Sequence, residues 1–331
     1  MDVDVFAAAH QADWKRLDDL VRRRRRLSGE EVDELVAAYQ RTATQLSVLR
    51  SAGGDPALVA RLSALVARAR AAAVGGAYAS GWRSVGRFFA VTFPLMAYRI
   101  RWWWLATAAA SLLVSFLVGW WVARSPGVLA SLAPRQQQIS YLHQFRAYYS
   151  QYNGQSFWSE VWTHNAFLAA GALVSGMFLG IPTLYFLWGN AAEIGVAGGV
   201  LVAHGRAGEF FTLILPHGML ELSAFFLAAA AGLRLGWTIV DPGPLPRGQA
   251  LAEQGRAAIA VALGLIVVLL LSGSIEAFVT PSALPSWARI LIGGCVVVAF
   301  LSYVLILGRR ATAAGLSPDI EEAPDLVPVA G

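Results

Sequence analysis

A histidine and a glutamate four residues apart form the strongest chemical signal in this sequence, in Leu215-Pro216-His217-Gly218-Met219-Leu220-Glu221. On a helix, residues at i and i+4 lie one above the other on the same face. The stretch around them is apolar, and an ionisable side chain at the centre of a membrane helix costs about 2.5–3.5 kcal/mol, so it faces a cavity or a partner. Further polar residues sit in comparable surroundings. His164-Asn165 opens one apolar run, and Glu276 lies in Ile275-Glu276-Ala277-Phe278-Val279-Thr280-Pro281-Ser282 at the end of another. Together His164, Asn165, His217, Glu221 and Glu276 form a candidate intramembrane polar cluster, with Asn190 and Glu193 as a second polar level nearer the cytoplasmic side. Three kinds of chemistry suit such a set. His217, Glu221 and Glu276 are weak candidates for a metal site, since zinc accepts histidine and carboxylate ligands. The same residues could line an outward-facing pocket or path for an ion, proton or lipid headgroup. They could also form an interhelical hydrogen-bond network that only fixes packing. Pro216 frees a carbonyl one turn earlier, and Gly218 leaves room for another helix.

Enzymatic signatures are sparse. No Gly-rich phosphate loop precedes a helix, no serine elbow appears, and no paired aspartates lie in the apolar runs. The expectation is a non-enzymatic chain with no cofactor. A metal-dependent intramembrane hydrolase centred on His217 and Glu221 is the third functional alternative.

Composition sets the solvent. Of 331 residues, 56% are hydrophobic and 14% charged, against about 25% charged in an ordinary soluble domain. Residues 1–101 hold sixteen of the twenty-six Lys and Arg, so the chain divides into a polar first part and an apolar second part. The basic residues flank apolar runs, where arginine belongs on the cytoplasmic side of a bilayer, and this argues against nucleic acid as a partner. The lone Cys295 excludes an internal disulfide or a cysteine cluster and reads as a packing residue. No signal-peptide pattern follows Met1, so insertion relies on the first internal span.

The elements follow from periodicity. Residues 1–76 read as a cytosolic three-helix bundle. Phe6, Trp14, Leu17 and Val21 stripe the first helix; Val32, Leu35, Val36, Tyr39, Ala43 and Leu46 the second; Leu58, Leu62, Leu65 and Ala69 the third. Ser28-Gly-Glu-Glu31 is a capping box, and Asp55-Pro56 an N-cap followed by proline. The Arg22–Arg26 run ends the first helix, and Gly75-Gly76 stops the third. Residues 80–101 mix arginines and aromatics as an interfacial elbow, with Pro94 turning the chain into the bilayer.

Residues 102–310 form the membrane domain, because about twenty apolar residues cross a hydrocarbon core. Spans are expected at Trp102–Ala123, Val161–Leu187, Phe210–Ala231, Ala257–Gly273 and Trp287–Leu307, and a short one at Ala191–Ala203 makes about six. Counting that one puts most flanking arginines, and both termini, on the cytoplasmic side of the plasma (inner) membrane. His217 then lies about 10 Å below the outer end of its helix. Gly195 and Gly199, Gly176 and Gly180, and Gly232 and Gly236 mark close helix contacts. The outer loop 124–160, with Tyr141, Tyr148, Tyr149, Tyr152, Phe157 and Trp158, folds over the outer face as a cap. Residues 311–331 form a tail, disordered from Ser317. The fold class is all-α, a polytopic membrane helix bundle.

Read together, these motifs resemble the stage II sporulation protein M family. The resemblance rests on Trp14, Leu27-Ser-Gly-Glu-Glu31, Arg87-Phe-Phe, Phe93-Pro94, His164-Asn165, Gly180-Ile-Pro-Thr183, Leu215-Pro-His-Gly218 with Glu221, Gly232-Leu-Arg-Leu-Gly236 and Ile275-Glu276 with Phe278-Val-Thr-Pro281. It implies a membrane anchor that recruits and coordinates partners in cell-envelope remodelling. It also implies a neighbourhood of MoxR-type ATPase systems with von Willebrand-like proteins, and polar roles for Asn165, His217, Glu221 and Glu276. The N-terminal bundle is an addition to the narrower family pattern. The expected function is a scaffold, dimeric in the bilayer, and a transporter or channel is the alternative.

Overall fold

The computed structural model describes residues 3–23, 27–51, 55–74, 81–150 and 154–316. Part of the arginine run (Arg24–Arg26), the Gly75-Gly76 stop, Tyr152 and the tail from Ser317 lie outside them. All described regular structure is helical. The chain forms two compact units, divided between Gly86 and Arg87.

The first unit is the expected bundle. Helices α1 (Val3–Arg22), α2 (Gly29–Ser51) and α3 (Pro56–Val74) bury one stripe each. Trp14, Leu17, Leu20 and Val21 meet Leu35, Ala38, Leu46 and Leu49 over Leu62, Leu65, Ala69 and Ala72. Val32 departs from its stripe and is exposed. Both caps form: the Ser28 amide donates to Glu31 Oε2 at 3.0 Å, the Glu31 amide to Ser28 Oγ at 3.3 Å, and the Ala57 amide to Asp55 Oδ1 at 3.1 Å. Its bond from the Ser28 amide, reinforced by Arg23, holds the Glu31 carboxyl below the usual range.

The unit boundary falls in the last turn of α4 (Gly81–Arg87), and the second unit runs from Arg87 through a wide π-helical turn, Phe88–Thr92, into α5 (Phe93–Arg99). The elbow is half surface and half core. Trp82 and Val85 are exposed, whereas Phe93 to Ala97 are buried. The helix boundary falls at Ile100 rather than Pro94, which sits in the first turn of α5 directly after the π turn.

Among the described residues, five helices are long and apolar enough to cross a membrane: α6 (Arg101–Arg124), α10 (Ile181–Ala203), α11 (Ala207–Val240), α12 with its extension (Arg247–Val279) and α13 (Ser286–Ala313). Here α12 itself is Arg247–Ser274. Their outer faces carry exposed Phe116, Trp120, Tyr185, Trp188, Ile259, Leu263, Leu291 and Val298, a surface that only a membrane solvates. The chain is therefore a membrane protein. Cys295 also points outward rather than packing inside.

The expected span Val161–Leu187 is two helices. Helix α9 (Gly154–Val174) ends in a 3₁₀ turn, the chain reverses through Leu179 and Gly180 at φ 59° and 75°, and α10 begins at Ile181-Pro182. Left-handed backbone suits Gly180, and a proline in the first turn suits a helix start. A hydropathy window sees only continuous apolarity across this reversal. The former short segment Ala191–Ala203 is thus the second half of a 23-residue helix.

Helix α11 is the centre, packing on α6, α9, α10, α12 and α13. Of its most apolar window 67% is buried, against 17% for α6 and α13. Small residues make this approach possible. A Cβ on Gly232 would stand 2.6 Å from Ala172 O, and one on Gly236 would stand 2.5 Å from Gly180 N. Likewise, Gly195 and Gly199 admit α6, where added Cβ atoms would lie 2.7 Å from Ser115 O and Gly119 O. Gly232→Val places atoms against backbone that cannot yield, so it should cost about 3 kcal/mol. Gly189→Ala, with nothing within 4 Å, should cost nothing. Thermal unfolding in detergent compares the two, and equal midpoints would contradict the seam.

Candidate functional site

Five elements enclose a cavity of about 590 Å³ in the second unit. Helix α11 contributes His217, Gly218 and Glu221. A wide π-helical turn at the end of α12, Ile275–Val279, contributes Glu276. Helix α9 adds Glu160, His164 and Asn165, and α10 adds Asn190 and Glu193. The cover is α8 (Arg135–Ser150), joined to α6 by α7 (Pro126–Leu132).

The π turn has a local cause. Pro281 lacks an N–H, and its ring would crowd the carbonyl four residues back in a regular helix. The backbone widens instead: the Thr280 amide donates to Ile275 O, five residues back, at 2.9 Å. Such one-turn bulges redirect side chains, and this one carries Glu276 into the interior, 5% exposed. The Arg289 guanidinium donates to the Thr280 carbonyl and ties the turn to α13.

On α11, Pro216 sits inside a continuous helix. Helix α13 closes on it through Gly293, where a Cβ would collide with the Pro216 carbonyl. Gly218, expected to admit a helix, meets only Ile214 of its own helix within 4 Å and lines the cavity. Depth along α11 also shifts. The helix begins at Ala207, so His217 lies about 15 Å from its end at 1.5 Å per residue, not about 10 Å.

One ligand atom from each of His217, Glu221 and Glu276 falls within 4.8 Å of the others. His217 Nε2 stands 3.8 Å from Glu276 Oε2. Its Nδ1 is 3.3 Å from Thr280 Oγ1, and its carbonyl accepts from Ser272 Oγ at 3.2 Å. Glu221 Oε2 and Asn190 Oδ1 are enclosed without a hydrogen-bond partner.

His164, Asn165, Asn190 and Glu193 line the same cavity, His164 and Glu193 from exposed positions. Asn190 and Glu193 are therefore not a separate level near the cytoplasmic side. Because α10 starts at Ile181, they lie about 14 and 18 Å along it, level with the cavity.

Helix α8 covers the cavity with aromatic side chains, Tyr141, Phe145, Tyr148 and Tyr149. Phe145 stacks on Phe210 with ring centres 6.2 Å apart, and Leu142 is buried with Val122, Val200 and Leu201. Gln138 Nε2 donates to Leu129 O and Ala133 O, fastening α7 to α8. Arg146 reaches Glu209 at 4.0 Å. Tyr149 then lies against the His217 ring, 5.5 Å between centres and 28° between planes. Sequence reasoning missed Tyr149 and Thr280 as partners of His217. Both stood in quoted motifs, but their pairing joins residues 68 and 63 positions from it.

A model of the family described as Stage II sporulation protein M matches residues 108–281, just over half of the chain, and takes in every cavity residue named above. A model described as a domain of unknown function, DUF8413, matches residues 4–75 in the first unit. No curated protein matches the chain, and no solved structure does.

Burial raises the phenol pKa of Tyr148 and Tyr149, and the Glu276 and Glu221 carboxylates raise it further. Both should stay neutral past pH 10, the ordinary value. A group held above its unfolded pKa stabilises the fold fully below that value, so the hold of α8 should weaken only as pH climbs beyond 10. Ultraviolet difference absorption on wild type and Tyr149→Phe reads this; a Tyr149 signal with a midpoint at 10 would contradict the packing.

Proposed function

The chain belongs to the stage II sporulation protein M family, and from that premise we propose that it is a non-enzymatic organiser of partner proteins at the plasma membrane. In this reading α9 crosses as well, so that six spans hold it in the bilayer with both termini in the cytoplasm. The bundle offers one docking unit inside and the α7–α8 cap another outside, as part of a homodimer. Its partners are proteins of envelope remodelling or of a MoxR-type ATPase system.

The observation that carries this reading is the bundle itself. It is a compact unit with a core of its own and a family model of its own. Burying twelve core residues in three helices is more than a membrane anchor requires. Between α1 and α3 it opens a groove of about 650 Å³, lined by Trp14, Lys15, Asp18, Arg61 and Arg68 among others. Mixed charge beside an indole suits a polar protein surface better than a lipid one. Flanking arginines support the orientation.

Affinity capture of the full chain from detergent-solubilised membranes should yield a defined complex that disappears when residues 1–76 are deleted. Unchanged partner recovery and full complementation by the deleted chain would refute the organiser reading.

The cavity favours a second reading, a path for an ion or lipid headgroup, because Glu221 and Glu193 in its lining lie about midway along α11 and α10. That reading expects flux in reconstituted vesicles that falls at least about tenfold in Glu221→Gln, as removal of an intramembrane charge should cause. Identical flux in vesicles with wild type, Glu221→Gln and no protein would exclude it.

A further inference from the structure

His217 Nδ1 lies 3.3 Å from Thr280 Oγ1, and that hydroxyl stands equally far, 3.3 Å, from Ile275 O, to which it can donate its single proton. With the proton given to Ile275 O, the hydroxyl accepts from His217 and Nδ1 carries the hydrogen. On a neutral ring the Nε2 lone pair then points at Glu276 Oε2, 3.8 Å away, too far for a hydrogen bond. A ring nitrogen of His217 and one carboxylate oxygen each from Glu221 and Glu276 lie within 4.8 Å of one another. His217 and Glu276 are 4% and 5% exposed. Glu221 Oε2 is enclosed with no hydrogen-bond partner at all. Acceptors gathered this closely away from water call for positive charge between them.

We propose that His217, Glu221 and Glu276 bind a divalent transition-metal ion of the zinc type, with an open coordination position facing the cavity. Charge favours it, because two carboxylates and a neutral imidazole cancel a doubly charged cation and leave no net charge in an apolar surround. Ligand chemistry favours it over calcium or magnesium, which take six or more oxygen ligands. Geometry permits it. Tetrahedral bonds of about 2.0–2.2 Å place ligand atoms roughly 3.4 Å apart, so the set closes by little more than an ångström through glutamate torsions. The Thr280 hydroxyl is the outer partner that fixes the imidazole tautomer, as metal-bound histidines require. Tyr149 lies over the ring and screens the ion from above. The proposal stands apart from the organiser reading, since it concerns the membrane unit alone.

The test uses the full chain, purified in detergent, stripped with a chelator and titrated with Co²⁺. One equivalent per chain should bind with a visible ligand-field band that Zn²⁺ bleaches, and zinc should raise the thermal midpoint. His217→Ala and Glu276→Gln should lose the band, while Thr280→Val should keep it with affinity lowered roughly 10- to 100-fold, as for other outer-shell partners. His204→Ala, outside the cavity, should bind as wild type does. No stoichiometric binding by folded wild type, or wild-type binding by both ligand variants, would overturn the proposal. Should either variant fail to fold, X-ray absorption on zinc-loaded wild type decides. One imidazole with oxygen donors supports the site; a thiolate donor or an all-oxygen shell overturns it.

Discussion

Hydrocarbon offers no hydrogen bonds, so a polar side chain carried into it must be met by protein. That constraint organises the second unit around α11. One helix carries His217 and Glu221, and α9, α10 and the π turn after α12 pack on it and bring further polar side chains to the cavity. The π turn delivers Glu276, Ser272 and Thr280 satisfy the backbone and ring of His217, and α8 closes the top with Tyr149. Beyond the cavity, α11 is an apolar run from Ala224 to Gly232, buried throughout.

Two devices make that arrangement possible. Glycine seams let backbones touch, so that α9 and α6 approach α11 and α10 without side chains between them. Prolines preceded by wide turns redirect the chain: Pro94 follows the π turn at Phe88–Thr92, and Pro281 follows the one at Ile275–Val279. The first sends Phe93 into the core against Gly264, and the second sends Glu276 into the cavity. In each, a residue that cannot donate is accommodated by widening the helix before it.

Much of this was legible in the residues themselves. Binary pattern and caps located all three bundle helices, because each stripe is answered by another stripe and Ser28 and Asp55 have local jobs. Paired glycines announced the seams, and charge inside apolar runs announced the cavity residues. What escaped was whatever depends on a break in an apolar run or on contact at long range. The reversal at Leu179–Gly180 interrupts a run that hydropathy reads as one span, and with it went the depth of Asn190 and Glu193. The stacking of Tyr149 on His217 depends on how α8 folds back, which no local pattern encodes.

The account rests on convergence: acceptors from two separate helices meet in one enclosed place because lipid cannot serve them. A side-chain-resolution density map of the full chain in lipid nanodiscs tests this most directly. It should show His217, Glu221 and Glu276 with ligand atoms within about 5 Å of each other, beneath Tyr149. A map with Glu276 turned toward lipid, or with α8 lifted away and His217 packed among apolar side chains, would contradict it.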